Sequence, residues 1–288
     1  VVIDTPEGTT LETTTQLARE IGDYISTVPE VTDYEVYSGC ASPVNFNGLV
    51  RHYFMRQGPN VADLQVNLVD KDNRSDQSHA IAKRVRGPIQ EIAAKYNAAV
   101  KISEVPPGPP VLATLVCEIY GPDYEGRLDV ARQVKAVFED TPGVVDIDWY
   151  VEDEMRELIF TIDQERAAVR GVSVEQAAQT LAVALNGYDG GLLHVSDSAE
   201  PVLINVRLPI EDRSTVEALS DLYIYSTAGV LIPLSDVVVI EETVIPKSRH
   251  RRNLKPVIYV TADVAGELES PVYAIMDMRE RIAQIPTL

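Results

Sequence analysis

Residues 1–37 read VVIDTPEGTTLETTTQLAREIGDYISTVPEVTDYEVY, and residues 114–150 read TLVCEIYGPDYEGRLDVARQVKAVFEDTPGVVDIDWY. Laid over one another without a gap, at a shift of 121 − 8 = 113, the two stretches share eight identities. Gly8 falls on Gly121, Glu12 on Glu125, Ala18-Arg19 on Ala131-Arg132, Pro29 on Pro142, Val31 on Val144, Asp33 on Asp146 and Tyr37 on Tyr150. Composition alone would produce about two. In the first copy, Val1 to Thr5 reads as a strand, Pro6 to Thr9 as a turn, and Thr9 or Thr10 as a helix cap. Leu17, Ile21, Tyr24, Ile25 and Val28 form one apolar helical stripe. Pro29 stops it, and Val31 to Tyr37 is the next strand. The second copy repeats the pattern, with strands at 115–120 and 144–150 around a helix at 124–140. The repeat is therefore β-α-β.

Working outward, the first copy continues. Leu64, Val66 and Leu68 alternate on one face of a strand over 62–69. Ser78 to Tyr96 is helical by Ile81, Val85, Ile89 and Ile92, with Gly87-Pro88 expected to kink or restart it. A strand over 98–105 follows, then Pro106-Pro107-Gly108-Pro109-Pro110, a stiff linker. The order is β-α-β-β-α-β, the ferredoxin-like split βαβ. The second copy finds its third strand only at 256–263 and its second helix at 271–285. Its first two strands are followed by 105 residues (151–255) where the first copy has 24 (38–61). A separate unit inserted at a loop tip explains the difference. The insert carries strands at 158–163 and 202–208, helices at 164–169 and 174–185, a hairpin over 222–234 and an extended stretch at 237–242. The fold expected is α+β: two ferredoxin-like βαββαβ subdomains, the second split by a mixed α/β insert and lacking its last strand.

Composition narrows function. Across 288 residues, 25 Lys and Arg face 44 Asp and Glu, a net charge of −19. Phosphate contacts need a basic surface, so no nucleic-acid partner is expected. The apolar runs reach four or five residues, far short of the ~20 that span a bilayer. Two cysteines make no disulfide framework: Cys40 and Cys117 could pair, but the expected reading is a buried or half-buried free thiol. No Gly-x-Ser-x-Gly, phosphate loop or carboxylate pair singles itself out, so the chain does not read as an enzyme. His52, His79, His194 and His250 share no metal spacing, and Met55, Met155, Met276 and Met278 read as packing or surface residues. No metal and no cofactor is expected.

Two ferredoxin-like units, the second split, resemble the periplasmic loop of resistance–nodulation–division efflux permeases of the acriflavine-resistance, multidrug type. PEGTTLETT (6–14) is similar to the opening of that family's second large periplasmic loop. IDQERAAVRGVS (162–173) resembles the start of its docking insert, GVLIPLSDV (229–237) its end, and RRNLKPVIYV (251–260) the return strand. The resemblance covers the whole chain. It implies a first porter subdomain at 1–105, a second at 111–150 with 250–288, and a docking insert at 151–249. It further implies a proton-driven, homotrimeric inner-membrane pump that works with a periplasmic adaptor protein and an outer-membrane channel. The cargo would be hydrophobic or amphiphilic small molecules, and this chain a periplasmic loop whose proton-carrying residues lie elsewhere. The heavy-metal branch of the family is disfavoured by the scattered Met and His. The alternative is a stand-alone small-molecule-binding regulatory module with paired ferredoxin-like domains.

Two stretches stand out. Ser38 to Asn60 is a long connection that places Phe46, Tyr53, Phe54 and Met55, with His52, among Gly39, Pro43, Gly48, Gly58 and Pro59. Apolar and aromatic groups on a Gly-rich connection suit contact with hydrophobic ligands. By position it matches the family's switch loop beside the deep substrate pocket. The plainer alternative is that Tyr53, Phe54 and Met55 begin a strand and face the core. The second stretch, Ser248-Arg249-His250-Arg251-Arg252, reads as a connector that pairs with nearby acids, or as an inter-subunit contact.

Overall fold

The computed structural model describes residues 1–43, 49, 55–104, 112–265 and 270–286. These fall into two compact units, 1–155 with 246–288, and 156–245.

The first unit opens with β1 (Val2–Asp4), α1 (Leu11–Ile25), β2 (Val31–Cys40) and β3 (Gln57–Leu68), then α2 (Ser78–Ala94) and β4 (Ala99–Lys101). The four strands form one antiparallel sheet in the order β2-β3-β1-β4. Its core joins Ile3, Ala62 and Leu64 of the sheet to Leu17, Ile21 and Ile25 of α1 and Ile81, Val85 and Ile89 of α2. Each fully buried aliphatic of this kind stabilises by about 1.5–3 kcal/mol. α2 runs as one helix through Pro88, so the helix does not restart there. Pro88 removes one helical N–H bond, while the packed stripe on both sides of it holds the helix together.

The second half of this unit has β5 (Leu115–Ile119), α3 (Tyr124–Glu139) and β6 (Val144–Trp149). Thr10 and Asp123, 113 residues apart, cap α1 and α3 through backbone N–H groups three residues on. Buried Thr14, Ala18, Ile21 and Ile25 recur as buried Arg127, Ala131, Val134 and Phe138. The repeat in sequence is thus a repeat in burial.

The second unit follows β6. It contains β7 (Arg156–Ile162), α4 (Gln164–Arg170), α5 (Val174–Asn186), β8 (Tyr188–Leu193), β9 (Val202–Val206), α6 (Val216–Ser220), β10 (Tyr223–Tyr225), β11 (Leu231–Pro233) and β12 (Val238–Val244). Its strands pair as three antiparallel ribbons, β7 with β12, β8 with β9, and β10 with β11. Ala167, Leu181, Ile224, Leu234 and Val237 centre its core. Asp163 caps α4, and a reciprocal Ser173–Gln176 capping box starts α5.

The chain then returns to the first unit through a two-residue hairpin, β13 (Arg251–Arg252) and β14 (Lys255–Pro256), whose Asn253 and Leu254 both have positive φ. β15 (Ile258–Val264) inserts between β5 and β6, and α7 (Pro271–Ala283) joins α3 over that sheet. Among the described residues this sheet has three strands, β5-β15-β6.

Candidate functional site

The connection singled out in sequence is shorter than expected. β2 runs on to Cys40 and β3 starts at Gln57, with Cys40 opposite Gln57, so the connection is 41–56. Gly39 and Gly58 looked like loop punctuation. Their φ values of 78° and 138° instead place them in the ladder next to a register shift between Ser38 and Cys40. A bulge of this kind lets a glycine stay within a strand.

Both ends of the connection meet one carboxylate. Asp63, on β3, is buried. Its Oδ2 accepts the Ser42 backbone N–H at 2.9 Å, and its Oδ1 accepts Arg56 Nη1 at 2.5 Å. The other arm of the Arg56 guanidinium, Nη2, donates to Asp4 Oδ1 at 2.5 Å and to the Ile3 carbonyl at 2.7 Å. Residue 42 follows β2, residue 56 precedes β3, and Asp4 ends β1. The cluster therefore ties the connection to two neighbouring strands. Burial works against the Arg56 charge. The flanking Asp4 and Asp63 carboxylates outweigh it and hold the guanidinium above its ordinary value.

Met55, beside Arg56, is 66% exposed. It does not face the core, as the plainer reading required. Phe46, Tyr53, Phe54 and His52 lie outside the described residues.

A second charged cluster joins the two halves of the first unit. Arg86 of α2 pairs with Asp146 of β6, and Lys101 of β4 pairs with Asp148 of β6. Asp146 Oδ2 also accepts the Ile102 N–H at 3.1 Å. Asp146 has a φ of 52° and its side chain is 1% exposed. Burial pushes its carboxyl above the ordinary value, and the Arg86 and Ile102 contacts pull against that rise.

Three residues of the basic run 248–252 have local partners. Ser248 donates to Glu152 through both its N–H and its hydroxyl, Arg252 pairs with Glu118, and Arg249 lies 3.3 Å from the centre of the Tyr124 ring. Cys40 is an exposed free thiol, and Cys117 a half-buried one whose pKa burial raises. Among the described residues no group of three or more His, Cys, Asp or Glu is placed to hold a metal ion. Of the methionines, Met278 is buried and Met276 exposed. No described helix is long and apolar enough to cross a membrane.

The fold belongs to a known class of transport protein. A crystal structure of a heavy metal efflux pump superimposes on the whole chain with a TM-score of 0.71 at 16% identity, the chain covering 29% of it. A second crystal form gives 0.70 at 17% identity. The sequence profile of the AcrB/AcrD/AcrF family matches residues 1–287. The chain thus belongs to that family of resistance–nodulation–division permeases, which are efflux transporters and not enzymes. The cobalt-zinc-cadmium resistance protein CzcA of Cupriavidus metallidurans is 30% identical over 161 residues, 54% of this chain. The nickel and cobalt resistance protein CnrA of the same organism is 26% identical over the same length. An uncharacterized transporter of Haemophilus influenzae is 23% identical over 176 residues. The chain spans 15% of the length of the two metal-resistance relatives and 17% of the third. The metal-resistance names run against the sequence-based expectation of a multidrug pump.

Proposed function

We propose that this chain is the periplasmic part of an inner-membrane efflux permease, and that the 41–56 connection meets the transported compound. The observation that carries the first clause is the family match across 1–287. It also weighs against a stand-alone regulatory module. In this reading the two halves of the first unit are ferredoxin-like porter subdomains. The order β2-β3-β1-β4 and its three-stranded counterpart support that assignment. The insert at 156–245 is the part that docks toward an outer-membrane channel. The assembly is a proton-driven homotrimer with a periplasmic adaptor, and its energy-coupling residues lie outside this chain.

For substrate, Phe46, Tyr53, Phe54 and Met55 favour hydrophobic or amphiphilic compounds, and the exposure of Met55 supports contact with a ligand. A second reading, divalent cations, is favoured by the names of CzcA and CnrA. The two separate in one experiment. Cells lacking their own pumps receive the full-length permease and are scored for resistance to bulky hydrophobic compounds and to cobalt, zinc and cadmium salts. The first reading predicts protection against the compounds, lost in Phe46→Ala or Phe54→Ala. Protection against the salts alone overturns it in favour of cations. Protection against neither class, with the protein properly inserted, overturns the efflux reading.

A further inference from the structure

The 41–56 connection has two ends, and they converge on Asp63. We infer that Asp63 and Arg56 are positioning residues: a clamp that fixes where the connection leaves β2 and where it rejoins β3, and so fixes what it presents to substrate. The inference rests on the proposed substrate contact of that connection for its functional half, and on geometry alone for its structural half.

The geometry is specific. One carboxylate receives a backbone N–H from Ser42 and a guanidinium from Arg56, one on each oxygen. The guanidinium spends its other arm on β1, at Asp4 and the Ile3 carbonyl. A planar fork with two arms is needed for this, and an ammonium cannot reproduce it. The sheet does not need the clamp to cohere. Asp63 is flanked by Ala62 and Leu64, which face the helices and build the core, so the alternation of the strand puts Asp63 on the other face. The β1–β3 ladder already pairs Val2 with Asp63 and Ile3 with Ala62 through the backbone. A buried ion pair is weak evidence for stability, because apolar groups of similar size often serve as well. Its best-attested use is to select one geometry. Here the geometry selected is the spacing between residues 42 and 56.

The test compares three forms of the full-length permease: wild type, Arg56→Lys, and the double variant Arg56→Met with Asp63→Leu, which replaces charge with apolar volume. Hydrogen exchange is followed by mass spectrometry in peptides covering 40–43, 1–5 and 61–68. The clamp predicts at least tenfold faster exchange at 40–43 in the double variant, with 1–5 and 61–68 unchanged, and an intermediate rise in Arg56→Lys. Unchanged exchange at 40–43 overturns the clamp. Equal acceleration in all three segments also overturns it, because the ion pair is then a brace for the whole sheet. Resistance is scored in parallel. The positioning role predicts at least a fourfold change for some compounds in the double variant at normal expression. No change there, in a pump that responds to Phe46→Ala, overturns the positioning role. If Phe46→Ala, Tyr53→Ala and Phe54→Ala all leave resistance untouched, the proposed substrate contact is what fails, and the exchange rates alone still decide the anchor.

Discussion

Removing the guanidinium of Arg86 should cost about as much as truncating a large apolar side chain of the core. Arg86 lies on α2 with its side chain 11% exposed, and its partner Asp146 lies on β6, almost wholly out of water. Arg86→Met leaves a buried carboxylate facing Asp263, with the Ile102 N–H as its remaining described partner. Uncompensated burial of one member of such a pair costs about 3–5 kcal/mol. The carboxyl has one escape, which is to take up a proton, and its already raised pKa makes that route easier. The loss near neutral pH is therefore expected at the lower end, about 3 kcal/mol, and it should shrink further toward pH 4. The double variant Arg86→Met with Asp146→Leu removes both charges and should recover most of the loss. Urea denaturation of wild type, both single variants and the double variant, at pH 7 and pH 5, closes the cycle. A loss under about 1 kcal/mol for Arg86→Met, or no recovery in the double variant, would refute the reasoning. Either result would mean that water reaches the pair.

Other outcomes follow from the same residues. Ile21→Ala and Val134→Ala occupy equivalent places in the two halves. Both should destabilise, by about 3–4 and about 2 kcal/mol, in the order of methyl groups removed. Equal stability of either variant with wild type in urea would break the equivalence. Asp123→Ala removes a 2.7 Å cap bond and Thr10→Ala a 3.4 Å one, so the first should cost about 1 kcal/mol and the second less, read from thermal melts. A pH series tests Asp146 separately. Its raised folded-state pKa stabilises fully below the ordinary value of 3.8, and this contribution is lost as pH rises through the raised value. Wild type should therefore lose stability relative to Asp146→Asn as pH climbs from 3.8. Parallel curves would contradict the assignment.

The repeat made the halves legible because its two copies bury equivalent side chains. Ala18 and Ala131, or Ile25 and Phe138, sit under the same constraint, and the spacing of apolar residues records it. The insert was legible as a stretch of 105 residues between strands where the first copy has 24. Asp63 was not legible. In VADLQVNL (61–68) the alternation assigns Leu64, Val66 and Leu68 to the core and leaves Asp63 facing water. Asp63 is nevertheless buried and pairs with Arg56, from a stretch that read as loop, and a pairing of that kind depends on the folded path rather than on local pattern. The hairpin at 251–256 escaped for another reason. Its two turn residues have positive φ, for which Asn-Gly is the usual signal, yet the chain places Asn253-Leu254 there. β8 contains Gly190-Gly191, which reads as a break although the strand continues through it.

If the 41–56 connection touches the transported compound during turnover, as proposed, covalent capture should catch it there. A photoreactive phenylalanine analogue is placed at Met55 in the full-length permease, and the same analogue is placed at Val169 as a control. Val169 is 87% exposed in the inserted unit, which the proposal assigns to docking. Illumination of energised cells supplied with a radiolabelled hydrophobic compound should label the protein through position 55 and not through position 169. An excess of unlabelled compound should suppress that label. Equal labelling at both positions, or labelling at 55 that no competitor reduces, would contradict the account.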